Sequence, residues 1–175
     1  MDKLTFDWIV RDWSAKTFLI CFNRQTVGKL LFNDLWTFNA SYVTDNETIN
    51  FIETGYFREA IEIRKQNRLI GKIDYKVFGR KCLKLNSGQT FNLSTNFWGR
   101  NLKWINEKGE NVIDLKQPTL KDLGRGTILS DKDLDKELND LLISSGLYIS
   151  NLTSKKMARF LPIFIVLIGG LKIFG

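Results

Sequence analysis

The first 130 residues alternate between apolar and polar side chains, and this period of two constrains the fold more than any other feature. In residues 71–77 the odd positions carry Gly, Ile, Tyr and Val, whereas the even positions carry Lys72, Asp74 and Lys76. Successive side chains of a β-strand point to opposite faces of the sheet, so this pattern predicts strands with one buried face. We find no helical periodicity before Ser130.

Short segments of this kind recur along the chain, and Gly and Asn punctuate them. Asn86-Ser87-Gly88 and residues 107–110 have the composition of hairpin connections, in which Gly supplies a positive φ. We therefore predict a mainly β protein, an antiparallel meander of about twelve strands in a sandwich or barrel. The predicted strands are residues 4–10, 17–22, 27–33, 36–43, 48–54, 59–64, 71–77, 81–85, 90–94, 102–106, 111–115 and 126–129.

Two segments of the strand region resemble each other. Thr26-Val27-Gly28-Lys29-Leu30 is similar to Leu69-Ile70-Gly71-Lys72-Ile73, and an aromatic-bearing turn and another strand follow each of them. Two matches are too few for a propeller or solenoid but suit a barrel built from two similar halves. Chance similarity among β sequences is the alternative.

The charge and composition favour an anionic partner and argue against catalysis. The net charge of +7 indicates either nucleic acid or the negative leaflet of a membrane, and charge alone does not choose between them. The chain has no His, which removes the commonest general base and metal ligand, and no catalytic motif stands out. We expect a non-enzymatic protein without a cofactor or metal ion.

Cys21 and Cys82 are the only cysteines, and neither has a partner at metal-site spacing. We interpret them as buried free thiols in a reducing compartment. The first seven residues contain no signal-peptide core, which favours a cytoplasmic protein.

After Ser130 the pattern changes to helical spacing. Ser130 is predicted as the N-cap, and the acidic residues at 131, 133, 135 and 137 suit a helix start better than a calcium loop, because the Gly and distal Glu of such a loop are missing. Residues 141–152 are nearly apolar on every side, as in a buried or membrane helix. A second apolar run follows at residues 160–171.

The order of elements resembles the tubby-like superfamily, which includes tubby proteins, LURP-one-related proteins and phospholipid scramblases. The resemblance rests on the Gly28-Lys29 and Gly71-Lys72 strands, the hairpin arm at residues 103–106 and the apolar segment 138–152. It implies a closed twelve-stranded barrel around a C-terminal helix, with residues 1–153 as this domain. It also implies membrane association, since tubby domains bind phosphoinositide head groups through basic side chains on the barrel wall and scramblases are membrane-anchored.

A barrel of this type admits one helix, and the chain has two hydrophobic C-terminal segments. We place residues 138–152 inside the barrel because their serines can bond within a packed interior, although the opposite assignment is possible. We then predict that residues 154–175 form a hydrophobic tail that anchors the barrel on the cytoplasmic side of a membrane. Residues 157–175 would form a helix of roughly 27 Å, just enough for a thin bilayer, and a core or interface-lying helix is the alternative. The membrane-flanking residues are Lys155, Lys156, Arg159 and Lys172.

A basic set on neighbouring strands is the candidate site for an anionic phospholipid. An ordinary solvated face is the alternative interpretation. Trp98 and Trp104 would pack in the barrel core or lie at a lipid interface. The predicted lipid-binding residues are Lys72, Lys76, Arg80, Lys81 and Lys84.

The sequence thus favours a membrane-associated domain that binds a phosphoinositide or another anionic lipid, or a scramblase-like domain. The alternative is a soluble structural or regulatory protein-interaction module whose partner the sequence does not identify. Nucleic-acid binding ranks last because its motifs are missing.

Overall fold

The computed structural model describes residues 2–12, 16–33, 37–55, 60–74, 81–96, 101–117 and 124–152. Its twelve strands are antiparallel, each pairs with its neighbours along the chain, and pairing of the first with the last closes a barrel. The mainly β meander and the closed barrel are therefore confirmed. The strands are β1 (Lys3–Val10), β2 (Thr17–Phe22), β3 (Gln25–Phe32), β4 (Ala40–Val43), β5 (Thr48–Thr54), β6 (Ala60–Lys65), β7 (Arg68–Asp74), β8 (Cys82–Leu85), β9 (Thr90–Thr95), β10 (Asn101–Ile105), β11 (Asn111–Lys116) and β12 (Arg125–Asp131).

The alternation of the sequence becomes the two faces of the wall. In β2, Phe18 and Ile20 point inward and are almost fully buried, whereas Thr17, Leu19 and Cys21 between them remain partly exposed. A barrel of twelve strands is wider than the eight-stranded kind whose own side chains fill the interior. Its centre therefore needs another apolar element.

That element is a helix, α1, whose described part covers residues 136–152. Leu142, Leu147, Tyr148 and Leu152 are 0% exposed, as expected for a helix surrounded by the barrel wall. Ser144 and Ser145 donate hydrogen bonds to carbonyl oxygens of the preceding helical turn, so their hydroxyls are satisfied in the interior. The prediction that the segment 138–152 threads the barrel is confirmed.

Aromatic contacts bind α1 to the wall. The indole Nε1 of Trp104 donates a hydrogen bond of 3.0 Å to the carbonyl oxygen of Leu142. The ring of Tyr148 stacks on Phe51 at 4.9 Å and on Phe32 at 5.7 Å between centroids. Trp104 thus belongs to the core, whereas Trp98 lies outside the described residues.

The predicted helix start was wrong. Ser130 lies in β12, and its hydroxyl donates to Oδ1 of Asn139 in α1. Asp135 is the observed N-cap, because its Oδ1 accepts a hydrogen bond from the backbone N–H of Leu138. The strand continues through Ser130 because pairing with β1 extends to Asp131, which overrides the local capping signal.

The meander divides the connections between two ends of the barrel. The turn end holds the link from β12 to α1 and the hairpin turns at residues 23–24, 44–47, 66–67, 86–89 and 106–110, with Gly88 and Gly109 at positive φ as predicted. The loop end holds the connections at residues 11–16, 33–39, 55–59, 75–81, 96–100 and 117–124. Helix α1 runs from the turn end to the loop end, because Asp140 meets Tyr42 of β4 whereas Tyr148 meets Phe32, the last residue of β3.

The two similar sequence segments have the same local structure. The β2–β3 turn at residues 23–24 and the β6–β7 turn at residues 66–67 place both central residues at positive φ, as in type I′ hairpins. A register shift follows each turn, and Gly28 and Gly71 then take the fourth position of their strands. This agreement suits the interpretation of two similar halves.

The cysteines are free, as predicted, but they are only half-buried. Both take outward positions in the alternation of β2 and β8, which exposes part of each side chain. The predicted second hydrophobic helix at residues 154–175 lies outside the described residues.

Candidate functional site

The two ends of the barrel differ in charge. The six connections of the loop end contain eight Lys or Arg and four Asp or Glu. Residues 153–175, which continue the chain after α1, add four Lys or Arg and no acidic residue. The turn end, counted as residue 2, its five hairpin turns and residues 132–140, contains four Lys or Arg and nine Asp or Glu. In sequence, the connections between strands that meet the loop end are therefore richer in bases, whereas the turn end, whose residues are all described, is richer in acids.

Two of the predicted lipid-binding residues lie side by side on the outer wall. Lys72 in β7 is directly opposite Lys84 in β8, and both side chains are exposed. Their surroundings differ: Glu62 in β6 is opposite Lys72 but its Oε2 pairs with Arg64 at 2.7 Å, whereas Nζ of Lys84 lies 3.2 Å from Oδ2 of Asp74. The carboxylate of Asp74 therefore offsets part of the charge that Lys72 and Lys84 place side by side.

The remaining predicted residues lie at or near the loop end. Lys81 is half-buried just before β8, where its carbonyl oxygen accepts a hydrogen bond from the backbone of Leu93. Lys76 and Arg80 lie outside the described residues, in the connection that joins β7 to β8 at the loop end. The lipid-binding role of the whole set stays a prediction.

The membrane-flanking residues Lys155, Lys156, Arg159 and Lys172 also lie outside the described residues. Within the residues that the structure describes, no helix combines the length and the apolar composition needed to cross a bilayer.

A buried polar pair lies inside the barrel. The hydroxyl of Tyr42 donates to Oδ1 of Asp140 at 3.5 Å, and Nζ of Lys136 lies 3.9 Å from Oδ2. Burial raises the pKa of the Asp140 carboxyl, and Lys136 only partly opposes this effect. Burial and the adjacent Asp140 carboxylate raise the pKa of Tyr42. These groups satisfy each other, so the pair orients α1 against β4.

An ion-pair cluster fixes the start of α1 at the turn end. Nζ of Lys65, at the end of β6, contacts the carboxylates of Glu47 and Glu137, the latter at 2.7 Å. Hydrogen bonds to Glu137 and Glu47 raise the pKa of Lys65. Since Glu47 belongs to the β4–β5 turn and Glu137 to the helix, this lysine joins three elements.

The wall and α1 do not meet closely beside this cluster. A recess with a cavity volume of about 610 Å³ opens there between α1 and the β6–β9 hairpins. Sequence reasoning missed it, because its shape depends on how the helix sits in the barrel. The one available signal was the apolar pair Leu69-Ile70 beside the turn, which interrupts the alternation.

Where the chain is described, no three His, Cys, Asp or Glu side chains come together in a way that could hold a metal ion. Burial raises the pKa of the Cys82 thiol, which opposes formation of a reactive thiolate.

Comparison with known proteins gives no relative. No family model, curated protein or solved structure matches the chain significantly.

Proposed function

We propose that this protein is a non-enzymatic, membrane-associated domain that turns its loop end towards an anionic membrane and binds an anionic lipid there. The carrying observation is the opposite charge of the two ends. A basic residue near an anionic leaflet contributes about 1 kcal/mol of attraction. An excess of bases at the loop end and of acids at the turn end would therefore orient the barrel as well as attract it.

The direction of α1 supports the same orientation. The helix leaves the wall at the loop end, so residues 153–175 begin on the side where the basic connections lie. We propose that the run 160–171 forms a second helix that anchors the chain, with Lys155, Lys156 and Arg159 on the cytoplasmic side and Lys172 at the far end. In this proposal the tail and the basic connections share one membrane-facing side.

Within this proposal the lipid head group contacts the β7–β8 region. Asp74 offsets the charge of Lys84, and we propose that Lys72, Lys76, Arg80 and Lys81 supply further positive charge for the head group. The tubby-like resemblance belongs to the proposal as well, since it implies the same lipid-binding role. The proposal covers two cases: a domain that only binds lipid and a scramblase-like domain that also moves it.

Sedimentation with lipid vesicles tests the electrostatic part. The full chain is mixed with phosphatidylcholine vesicles that do or do not contain phosphatidylserine, and Lys76→Glu/Arg80→Glu is compared with Arg24→Glu/Lys108→Glu at the turn end. Both variants change the net charge equally. We expect the first to lose about 2 kcal/mol of binding, or about 30-fold, and the second to change little. Equal losses in both variants would show that only net charge matters and would refute the orientation.

Alkaline carbonate extraction of membranes tests the anchor separately. We expect the full chain to stay with the membrane, and Leu167→Arg in the middle of the apolar run to be released, because a central Arg costs about 3 kcal/mol of insertion. Release of the unaltered chain would remove the anchor from the proposal. The vesicle assay alone would then test the electrostatic docking.

The alternative function is a structural or regulatory protein-interaction module. The recess at the turn end favours it, because that recess lies on the side away from the proposed membrane surface.

A further inference from the structure

The outer wall carries a group of apolar side chains where β1, β2 and β3 approach the loop end. Ile9 in β1 lies directly opposite Leu19 in β2, and Leu31 in β3 is the diagonal neighbour of Leu19. These residues alternate with the buried residues of their strands, so all three side chains point away from the core. Ile9 is 41% exposed, and Leu19 and Leu31 are half-buried. We call these three residues the rim patch.

Basic residues flank the rim patch. Arg125 in β12 lies directly opposite Ile9, and Lys29 in β3 lies directly opposite Leu19. Arg11 follows β1 at the loop end, and all three basic residues are exposed. Positive charge therefore borders the patch on the β12 side, on the β3 side and at the loop end.

Two acidic residues of the described chain lie near the rim patch, against four basic ones when Lys16 is included. The carboxylate of Asp12 accepts hydrogen bonds of 3.1 and 2.8 Å from the backbone N–H groups of Lys16 and Thr17, which hold it against its own loop. Asp7 is exposed on the same face of β1 as Ile9, on the side towards the turn end. The excess of positive charge therefore lies on the loop-end side of the patch, which faces the membrane in the proposed function.

The wall across the barrel has a different character. β2 and β8 are six strands apart in the closed ring of twelve, so the rim patch lies opposite the β7–β8 region. An apolar group among bases distinguishes the β1–β3 side from that region. The outward residues of β7 and β8 near the loop end are Lys72, Asp74, Cys82 and Lys84.

The sequence of the loop-end connections is also rich in aromatic residues. These connections contain nine Phe, Tyr or Trp, whereas the turn end, counted as before, contains none. Phe38, the one of the nine that the structure describes, is 4% exposed and belongs to the core. Trp and Tyr are enriched where proteins meet the boundary between water and lipid, and surfaces that lie in this boundary combine apolar with basic side chains. The composition of this end thus favours a lipid surface as the occupant of the patch.

We propose that the rim patch enters the interfacial layer of an anionic membrane, where its side chains contact lipid chains while Arg11 and Arg125 contact lipid phosphates. This inference rests on the proposed function and deepens it. Charge alone attracts a protein to the head groups, whereas insertion of apolar side chains holds it among them. Together with a head group at the β7–β8 region, the patch would give the loop end contacts on two opposite sides and keep the barrel upright on the membrane.

Quenching of tryptophan fluorescence by brominated lipid tests the insertion. The full chain with Ile9→Trp is mixed with vesicles of phosphatidylserine and a phosphatidylcholine that carries bromine on its acyl chains. The matched control is Leu69→Trp, because Leu69 near the turn end is 43% exposed and Ile9 is 41% exposed. We expect Ile9→Trp to lose more fluorescence than the unaltered chain does, and Leu69→Trp to show no such additional loss.

Sedimentation with the same vesicles measures what the patch contributes to binding. Ile9→Ser should weaken binding about fivefold, because it removes most of the apolar surface that one side chain would bury in lipid. The loss should be the same at high salt, since this change removes no charge. Leu69→Ser should leave vesicle binding unchanged.

The outcomes separate this inference from the membrane proposal. Vesicle binding in which Ile9→Trp is quenched no more than Leu69→Trp would overturn the inference and leave the membrane proposal intact. Light scattering that shows a dimer of the unaltered chain and a monomer of Ile9→Ser would assign the rim patch to a second copy and overturn the inference as well. Absence of vesicle binding in the unaltered chain would refute the membrane proposal itself.

Discussion

Replacement of Tyr148 by Ala tests whether α1 is the centre of the folding unit. The side chain is 0% exposed and stacks between Phe51 and Phe32 at centroid distances of 4.9 and 5.7 Å. Truncation of a buried aromatic side chain to Ala costs about 3–5 kcal/mol, and the two ring contacts place this site near the upper value. Since a domain is stable by only about 5–15 kcal/mol, Tyr148→Ala should remove a large part of the stability.

Equilibrium unfolding in urea measures this loss. With a slope of about 2 kcal/mol per molar urea, a loss of 4 kcal/mol lowers the midpoint by about 2 M. Phe22→Ala is the control, because Phe22 is also an aromatic in a ring pair, with Phe6 at 5.0 Å, but is only half-buried at the end of β2. Phe22→Ala should lower the free energy of unfolding clearly less than Tyr148→Ala does. A loss below about 1 kcal/mol for Tyr148→Ala would refute the reasoning, since the helix could not then be part of the core.

A double-mutant cycle isolates the contact between helix and wall. Tyr148→Leu and Phe51→Leu keep the interior apolar and remove the stacked rings, and the cycle cancels the loss of volume and of the hydroxyl that each single change also causes. We expect a coupling energy of about 0.5–1.5 kcal/mol between them and none between Tyr148→Leu and Ile9→Ala on the outer wall. A cycle without coupling between Tyr148 and Phe51 would contradict the observed stacking.

Two further predictions concern the interior of the barrel. A Cβ at Gly28 would overlap the hydroxyl of Tyr42, so Gly28→Ala should lower the free energy of unfolding, measured in urea, by about 1–3 kcal/mol. The control is Val27→Ala at the exposed neighbouring residue, which should change this free energy by no more than about 0.5 kcal/mol. Equal effects of the two variants would contradict the close approach of Gly28 and Tyr42. Because burial raises the pKa of Asp140 in the folded state, its ionisation opposes folding: the stability that its neutral form contributes is complete below about pH 4 and is lost as the pH rises through the raised pKa. Asp140→Asn should therefore be more stable than the unaltered chain at pH 7 and lose that advantage towards pH 4, and an advantage that grows on acidification would show the opposite sign of the pKa shift.

The strands were predictable because their signal is local. Alternation along segments such as β2 and β7 gives both the strand and its buried face, and the wall then follows by pairing of neighbours. Closure is not local, since a sandwich and a barrel share the same alternation. The segment 138–152 gave the better clue, because a helix that is apolar on all sides needs an enclosing wall, and its serines bond within its own backbone.

The helix start and the recess were not predictable for related reasons. Ser130 has the composition of a cap, but pairing between β1 and β12 keeps it in the sheet, so a long-range contact decides against a local preference. The recess at the turn end arises where α1 enters the barrel beside the β6–β9 hairpins, with Leu138 in its lining. No single segment encodes such a space, because it depends on the distance between elements that are far apart in sequence.

The distribution of charged residues between the two ends of the barrel gives information about the partner that the net charge does not give. A total of +7 suits a nucleic acid and a membrane equally. Once the meander assigns each connection to an end, the sequence of the loop-end connections has an excess of bases and that of the turn end an excess of acids. A polyanionic strand would favour bases in a continuous stripe or groove, whereas a flat anionic surface favours bases gathered at one end of a rigid body. The direction of α1 brings its last described residues to the loop end, so the topology that completes the core is compatible with the membrane orientation that we propose.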